Sequence, residues 1–318
     1  MTVGVRGMLI RLLSAREGAG LTLAGFFDLH YYPFACTTKR RPRLDRIIFD
    51  KHFRDGLGRK ALVAITSADL QAWVAEHAAR GYKPGTVNKH IFLLNRLLRL
   101  ARDWGMLEVA GSGRLGVRRL PAGEWRQRFA SEAELAALLA GCAAENHPFL
   151  SFFVRILILT GARSSEARLA RWRDFDLQRR LWTVPVSKNG RARRIVLSSA
   201  VMALLPEIRA RALALGLPAG PDDPIFVNPR TRRAYNGFHL AWDRARQRAG
   251  LGTLRLHDLR HTFASLLINN GATIYEVQKL LGHQNIAMTE RYDHLVPDTL
   301  QRRVEIIPDA MARAALAG

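Results

Sequence analysis

Apolar residues recur along most of this chain at the spacing of helices. Leu21, Phe26, Phe27, Leu29 and Tyr32 form a first run, and Pro33, which offers no N–H to a helical ladder, is expected to stop it. Thr66 followed by Asp69 is a capping-box signature for a helix through Ala79, ended by Gly81. Thr86 is expected to start a longer helix, with Val87, Ile91, Leu94, Leu97, Leu98 and Ala101 on one face and Lys89, Arg96, Arg99 and Arg102 on or near its borders. No convincing strand pattern occurs in this region. Periodicity fades between Gly105 and Arg128, where Gly111, Gly113, Gly116, Pro121 and Gly123 accumulate.

Beyond this break Ser131 is capped against Glu134, and a nearly continuous apolar stretch runs from Pro148 to Gly161. Arg155 interrupts that stretch, which is too short to span a bilayer, so it reads as a buried helix. Leu181 to Val186 and Arg193 to Leu197 flank Asn189-Gly190, a strong hairpin signal. Helical periodicity returns around 199–215, 236–249, 257–270, 273–281, 287–295 and 298–315. The expected fold is mainly α with a small antiparallel β-sheet. Its expected organisation is a short extension at 1–20, a helical domain at 21–115, a linker at 116–127 and a second domain at 128–318.

Charge adds a partner to this picture. The 318 residues hold 49 Lys+Arg against 27 Asp+Glu, a formal net charge of +22. Of the basic residues 42 are Arg and seven Lys, a skew that GC-rich codon usage explains; codon usage does not explain the excess of basic over acidic. Residues 1–127 hold 22 basic and 10 acidic residues and residues 128–318 hold 27 and 17, net charges of +12 and +10. Nucleic acid is the first expected partner and an anionic membrane surface the second. Two positive domains joined by a flexible segment would close on a duplex as a clamp. Two cysteines, Cys36 and Cys142, exclude a disulfide framework and a Cys-rich zinc site. Arg6 and Arg11 interrupt any signal-peptide core, so a soluble, intracellular protein is expected.

Five segments of the second domain carry candidate chemistry: Thr160-Gly161-Ala162-Arg163-Ser164-Ser165-Glu166, Ser187-Lys188-Asn189-Gly190, His257-Asp258-Leu259-Arg260-His261-Thr262, Leu280-Leu281-Gly282-His283 and Glu290-Arg291-Tyr292-Asp293-His294. Their order and spacing resemble the tyrosine recombinase (phage-type integrase) family: Arg-x-x-Glu after Thr-Gly, Lys beside a hairpin turn, His-x-x-Arg-His, Leu-Gly-His, and Tyr nine residues later. The likeness extends to the first domain, where Lys83 to Leu98 looks like the family's core-binding helix. No single motif suffices, since His77-Ala78-Ala79-Arg80 matches His-x-x-Arg too and reads as a solvated helix face.

The resemblance implies a site-specific DNA recombinase that cleaves and rejoins duplex DNA through a 3′-phosphotyrosyl link. Arg163 and Arg260 suit the phosphate oxygens because a guanidinium is a planar, permanently charged fork. Losing one such preorganised donor costs about 2.7–4 kcal/mol of transition-state stabilisation. Tyr292 is the implied nucleophile, with Tyr275 as its rival near the same motifs. A phenol has a pKa near 10 and needs a base or a positive field to attack near neutral pH. Lys188 is the implied general acid for the leaving 5′-oxygen. His257, at i, i+3 from Arg260 on a shared helix face, would shuttle protons or stabilise the phosphorane. His283 would hydrogen-bond a non-bridging oxygen, with His261 and His294 as structural neighbours. Glu166 would hold the framework. The link conserves the phosphodiester's energy, so no cofactor, metal or ATP is expected.

Lys39, Arg40, Arg41, Lys83 and Lys89 are the candidate phosphate contacts of the first domain. Thr86 and Asn88 could reach base edges or simply cap their helix. The resemblance implies a homo-tetramer on two recombination sites, a DNA-bending accessory protein and a cytoplasmic, nucleoid-associated location, with no membrane role. The tail Thr299 to Ala317 would dock on a neighbouring protomer or on its own domain. Twenty residues before Leu21 are too few for the arm-binding domain of many phage integrases, and the basic segment 39–60 leans towards mobile-element integrases. Two other readings stay open: a type IB-like topoisomerase, and a DNA-binding protein that keeps the fold but never cleaves.

Overall fold

The computed structural model describes residues 20–107, 115–121, 128–185 and 192–282. The chain divides into two compact units, Met1–Trp125 and Arg126–Gly318.

The first unit is helical in its described part. It opens with α1 (Leu23–Phe26), a π-helical turn (Phe27–Tyr31) and α2 (Tyr32–Thr38) in direct succession. Pro33 therefore does not stop the run as the sequence suggested. In the π turn the Tyr32 N–H bonds the Phe27 carbonyl five residues back, which resets the ladder. Pro33 then falls in the first turn of α2, where no N–H is required. Leu29 also departs from its expected apolar face and is exposed. The unit continues with α3 (Pro42–His52), α4 (Ser67–Ala79) and α5 (Pro84–Asp103). The Thr66–Asp69 capping box forms in both directions. Helix α5 begins two residues before Thr86, because Pro84 supplies a preset φ at its start. All six residues of its expected apolar face are buried.

Two asparagines on α5 bind the chain that follows it. Asn88 exchanges two hydrogen bonds with the Leu120 backbone (2.9 and 2.8 Å), and Asn95 does the same with Val117 (2.9 and 2.8 Å). Seven helical residues rise about 10.5 Å and three extended residues span about 10 Å, so the two clasps are in register. Asn88 thus neither caps its helix nor offers its amide to a base. Glycine content suggested a free tether at this point, yet residues 116–121 are strapped down.

The second unit contains α6 (Glu132–Ala143), α7 (Leu150–Thr160), α8 (Ser164–Leu169), α9 (Ser199–Ala214), α10 (His239–Arg248), α11 (Asp258–Asn269) and α12 (Ile274–Leu281). The Ser131–Glu134 box caps α6 as expected. The buried helix expected from Pro148 to Gly161 is α7, and its Arg155 reaches Glu207 at 3.4 Å. A three-stranded antiparallel sheet runs in the order β1 (Phe175–Asp176), β2 (Leu181–Val184), β3 (Arg193–Val196). The hairpin pairs Trp182 with Ile195 and Val184 with Arg193. Strand β1 is too short to give a period-2 signal. Leu150, Phe153, Val154, Ile156 and Leu157 of α7 lie in the core with Trp182, Ile195, Leu204 and Phe226. Full burial of such a side chain contributes at most about 1.5–3 kcal/mol. The helices expected at 287–295 and 298–315 lie outside the described residues.

Candidate active site

Two left-handed glycines shape the site. Gly161 ends α7 at φ +59°, and a Cβ there would come within 2.5 Å of the Phe263 ring and 3.0 Å of Leu281. Gly282 ends α12 at φ +66°, where a Cβ would meet Arg193 at 2.9 Å. These positions need glycine for conformation and for space at once.

Arg260, on the first turn of α11, is 3% exposed. Its Nη1 donates to the Gly161 carbonyl and its Nη2 to the Leu281 carbonyl, both at 2.7 Å. One guanidinium thus binds the turn leading to Arg163 and the turn leading towards position 283. Residues this basic are rarely buried without such partners.

Arg163 precedes α8 and keeps its side chain 18% exposed. Its backbone N–H donates to Glu166 Oε2 and its Nη1 to Glu166 Oε1, both at 2.8 Å. Glu166 also receives Arg193 from β3, with Nη2 2.7 Å from Oε2 and Nε 3.3 Å from Oε1. Burial alone would raise the Glu166 carboxyl, but Arg193 and Arg163 hold it down to about 2. It is a carboxylate at any pH at which the protein would work.

Sequence reasoning missed Arg193, one of many arginines. Its signal is alternation: Arg193, Ile195 and Leu197 fall on one face of a strand and Arg194 on the other. Arg193 Nη1 also lies 3.4 Å from the Leu280 carbonyl. It therefore joins β3, α8 and the end of α12.

His257 caps α11 and is exposed, its ring edge-on to His261 with centroids 5.1 Å apart. His257 has helical backbone at the start of α11, and its carbonyl accepts from the Arg260 N–H at 3.1 Å, as their i, i+3 spacing suggests; Arg260 is buried and His257 exposed. Tyr275 stands 61% exposed on α12 beneath the Lys279 ammonium, 5.1 Å from its ring centre. Lys188, His283 and Tyr292 lie outside the described residues.

The phosphate-contact candidates divide by exposure. Arg40, Arg41, Lys83 and Lys89 are exposed. Lys39 is only 24% exposed and is paired to Asp45, which also accepts the Tyr31 hydroxyl. Its ammonium already has a counterion. His77 is the plainest correction: expected on a solvated face, it is 2% exposed, stacked on Trp73 with ring centres 3.9 Å apart. A His-x-x-Arg spacing does not show which face of a helix is covered.

Residues 128–298 match the model of the phage integrase family. The integrase of Escherichia phage 186 is 32% identical over 185 residues, 58% of this chain and 49% of its own length. Tyrosine recombinase XerC of Roseiflexus sp. strain RS-1 is 37% identical over 147 residues, 45% of this chain and 46% of its own. The chain thus spans about half the length of the curated relatives it matches. The Tn1549 transposon integrase, solved in complex with transposon right end DNA, has the same fold: TM-score 0.75 over 90% of this chain and 99% of that one, at 18% identity. No described helix is long and apolar enough to cross a membrane. The family match covers more than half of the sequence and takes in Arg163, Arg260 and Tyr292, and on that ground the chain belongs to the phage integrase family.

Proposed function

We propose that the protein is a site-specific tyrosine recombinase that integrates or excises DNA by breaking and rejoining strands. The observation that carries this reading is the buried Arg260 fork on the carbonyls of Gly161 and Leu281. It draws the end of α7, just before Arg163, to the end of α12, and a scissile phosphate would need charge-stabilising groups of this kind. In the proposed reaction the Tyr292 oxygen attacks phosphorus, the bond to the 5′-oxygen breaks, and a 3′-phosphotyrosyl link forms. Arg163 and Arg260 stabilise the added charge, His257 and His283 serve the tyrosine proton and a non-bridging oxygen, and Lys188 protonates the departing 5′-oxygen. Attack by a second 5′-hydroxyl reverses these steps and conserves the bond energy.

Domain 21–115 would grip the duplex as a core-binding domain, 116–127 would connect, and 128–318 would catalyse. Four protomers would act on two sites as a nucleoid-associated assembly in the cytoplasm, with a DNA-bending accessory protein. Integrase and recombinase relatives favour exchange between sites over supercoil relaxation. The deciding experiment uses a suicide duplex nicked near a candidate site. Wild type should trap a covalent adduct and Tyr292→Phe should not. Adduct persisting in Tyr292→Phe would move the nucleophile elsewhere, with Tyr275 next to test. DNA binding without any adduct would make the protein a non-cleaving binder, and relaxation without a partner site would make it a topoisomerase.

A further inference from the structure

Three histidines converge in the first unit, in a part of the chain that the strand-transfer chemistry does not use. His52 ends α3, His77 lies in the last turn of α4 and His90 in the second turn of α5. Their candidate donor nitrogens all lie within 4.8 Å of one another, the one such group among the described residues. His52 Nδ1 and His77 Nε2 are 3.3 Å apart. That equals the edge of a tetrahedron with Zn–N of about 2.0–2.1 Å, and a nitrogen of His90 lies within 4.8 Å of both. We propose that His52, His77 and His90 bind one transition-metal ion of the Zn²⁺ class, a structural clip that ties α3, α4 and α5 together.

Two features besides proximity point to a ligand. His77 Nδ1 lies 3.0 Å from the Trp73 carbonyl, which can only accept, so the proton sits on Nδ1 and Nε2 presents its lone pair. A backbone carbonyl on the distal nitrogen is the usual outer partner of a metal-bound imidazole. His90 is 95% buried, by its 5% exposure, and its Nδ1 finds no hydrogen-bond partner among the described residues. An orphaned buried nitrogen is costly, and coordination would satisfy it. The His52 and His90 rings stack at 4.0 Å with planes 28° apart, so His90 must turn about its Cβ–Cγ bond to aim that nitrogen. His52 is only half-buried and provides the way in.

Burial pushes the three imidazoles below their ordinary pKa, the direction that favours the neutral, ligating form. Three neutral nitrogens with an open fourth position for water suit Zn²⁺, which imposes no geometry of its own. Lys51, Arg80 and Lys89 also act on these rings and oppose a bound cation, while Glu76 favours one.

The test is titration of untagged, full-length protein with Zn²⁺ against a chromophoric chelator, repeated with Co²⁺ for its visible absorption. One equivalent should bind, Co²⁺ should give the intense band of a low-coordinate imidazole site, and zinc should raise the unfolding temperature. His52→Phe and His90→Phe keep a ring in place and remove the nitrogen. Each should weaken zinc binding by more than the roughly 10–100-fold that loss of a mere supporting contact costs. Affinity unchanged in both variants, or no bound equivalent in wild type, overturns the site. Should a variant fail to fold, histidine nitrogen spectra of wild type decide: zinc must shift His52, His77 and His90, and shifts confined to other histidines refute it.

Discussion

Arg193 on β3 closes on Glu166 of α8 with Nη2–Oε2 2.7 Å and Nε–Oε1 3.3 Å, and the same carboxylate receives Arg163 Nη1 at 2.8 Å. Both oxygens of one buried acid are thus shared between two arginines of different exposure. Arg193 is 10% exposed and holds the acid in place; Arg163 is 18% exposed and remains the outward member. Glu166 therefore acts as the hinge through which the sheet fixes the direction of Arg163.

Breaking this arrangement from either side leaves buried charge without its partner. Glu166→Gln and Arg193→Ala should each destabilise the second unit by about 3–5 kcal/mol, measured by denaturant unfolding. Adduct formation on a suicide duplex should fall more in Arg193→Ala than in a surface control such as Arg211→Ala. Full cleavage by Arg193→Ala would show that Arg163 needs no such support.

The same carboxylate sets an acid limit. Its folded value is about 2 against an ordinary 4.5, so the pair contributes stability that is complete above about pH 4.5 and is lost as pH falls towards 2. The contribution is on the order of 3 kcal/mol. Wild type should lose stability from about pH 5 to about pH 3, while Glu166→Gln, lacking the group, should be flatter over that window. Parallel curves would remove Glu166 as the cause.

Gly161 joins a left-handed backbone to a close approach by Phe263 and Leu281. Gly161→Ala should cost about 2 kcal/mol or more, from the strained φ and from overpacking together. It should also reduce strand cleavage, because the Arg260 anchor is the Gly161 carbonyl. Gly282→Ala is the gentler change, since its Cβ meets the side chain of Arg193 rather than a packed ring. Equal unfolding midpoints for the two variants would refute this ranking.

The contrast between what could and could not be read in the sequence has a physical basis. Capping boxes at Thr66 and Ser131 and the apolar face of α5 are local patterns, and they form where spacing indicates. His77 and Leu29 were misjudged because burial depends on which neighbour covers a face, and that neighbour is distant in sequence. Pro33 misled because the π turn before it resets the ladder, so that the proline falls in the first turn of a new α-helix. In the site, Arg163, Glu166 and Arg260 belong to legible motifs. Arg193 acquires its role only through pairing with a residue 27 positions away. The strapping of residues 116–121 by Asn88 and Asn95 was hidden for the same reason.

Among the five candidate phosphate contacts of the first unit, four are exposed and one, Lys39, is already paired with a carboxylate. Lys83 and Lys89 are exposed around the start of α5, whereas Lys39 is tied to Asp45 beside the Tyr31 hydroxyl. If Lys83 and Lys89 each neutralise one phosphate, replacing either by Ala should reduce the slope of log affinity against log salt by about 0.9 and weaken binding alike on all sequences. Lys39→Ala should leave that slope nearly unchanged and lower stability instead, by about 0.2–1 kcal/mol for a partly exposed pair. Fluorescence anisotropy on a labelled duplex across a salt series separates the two cases. A reduced slope for Lys39→Ala would mean that its pair with Asp45 opens to bind DNA.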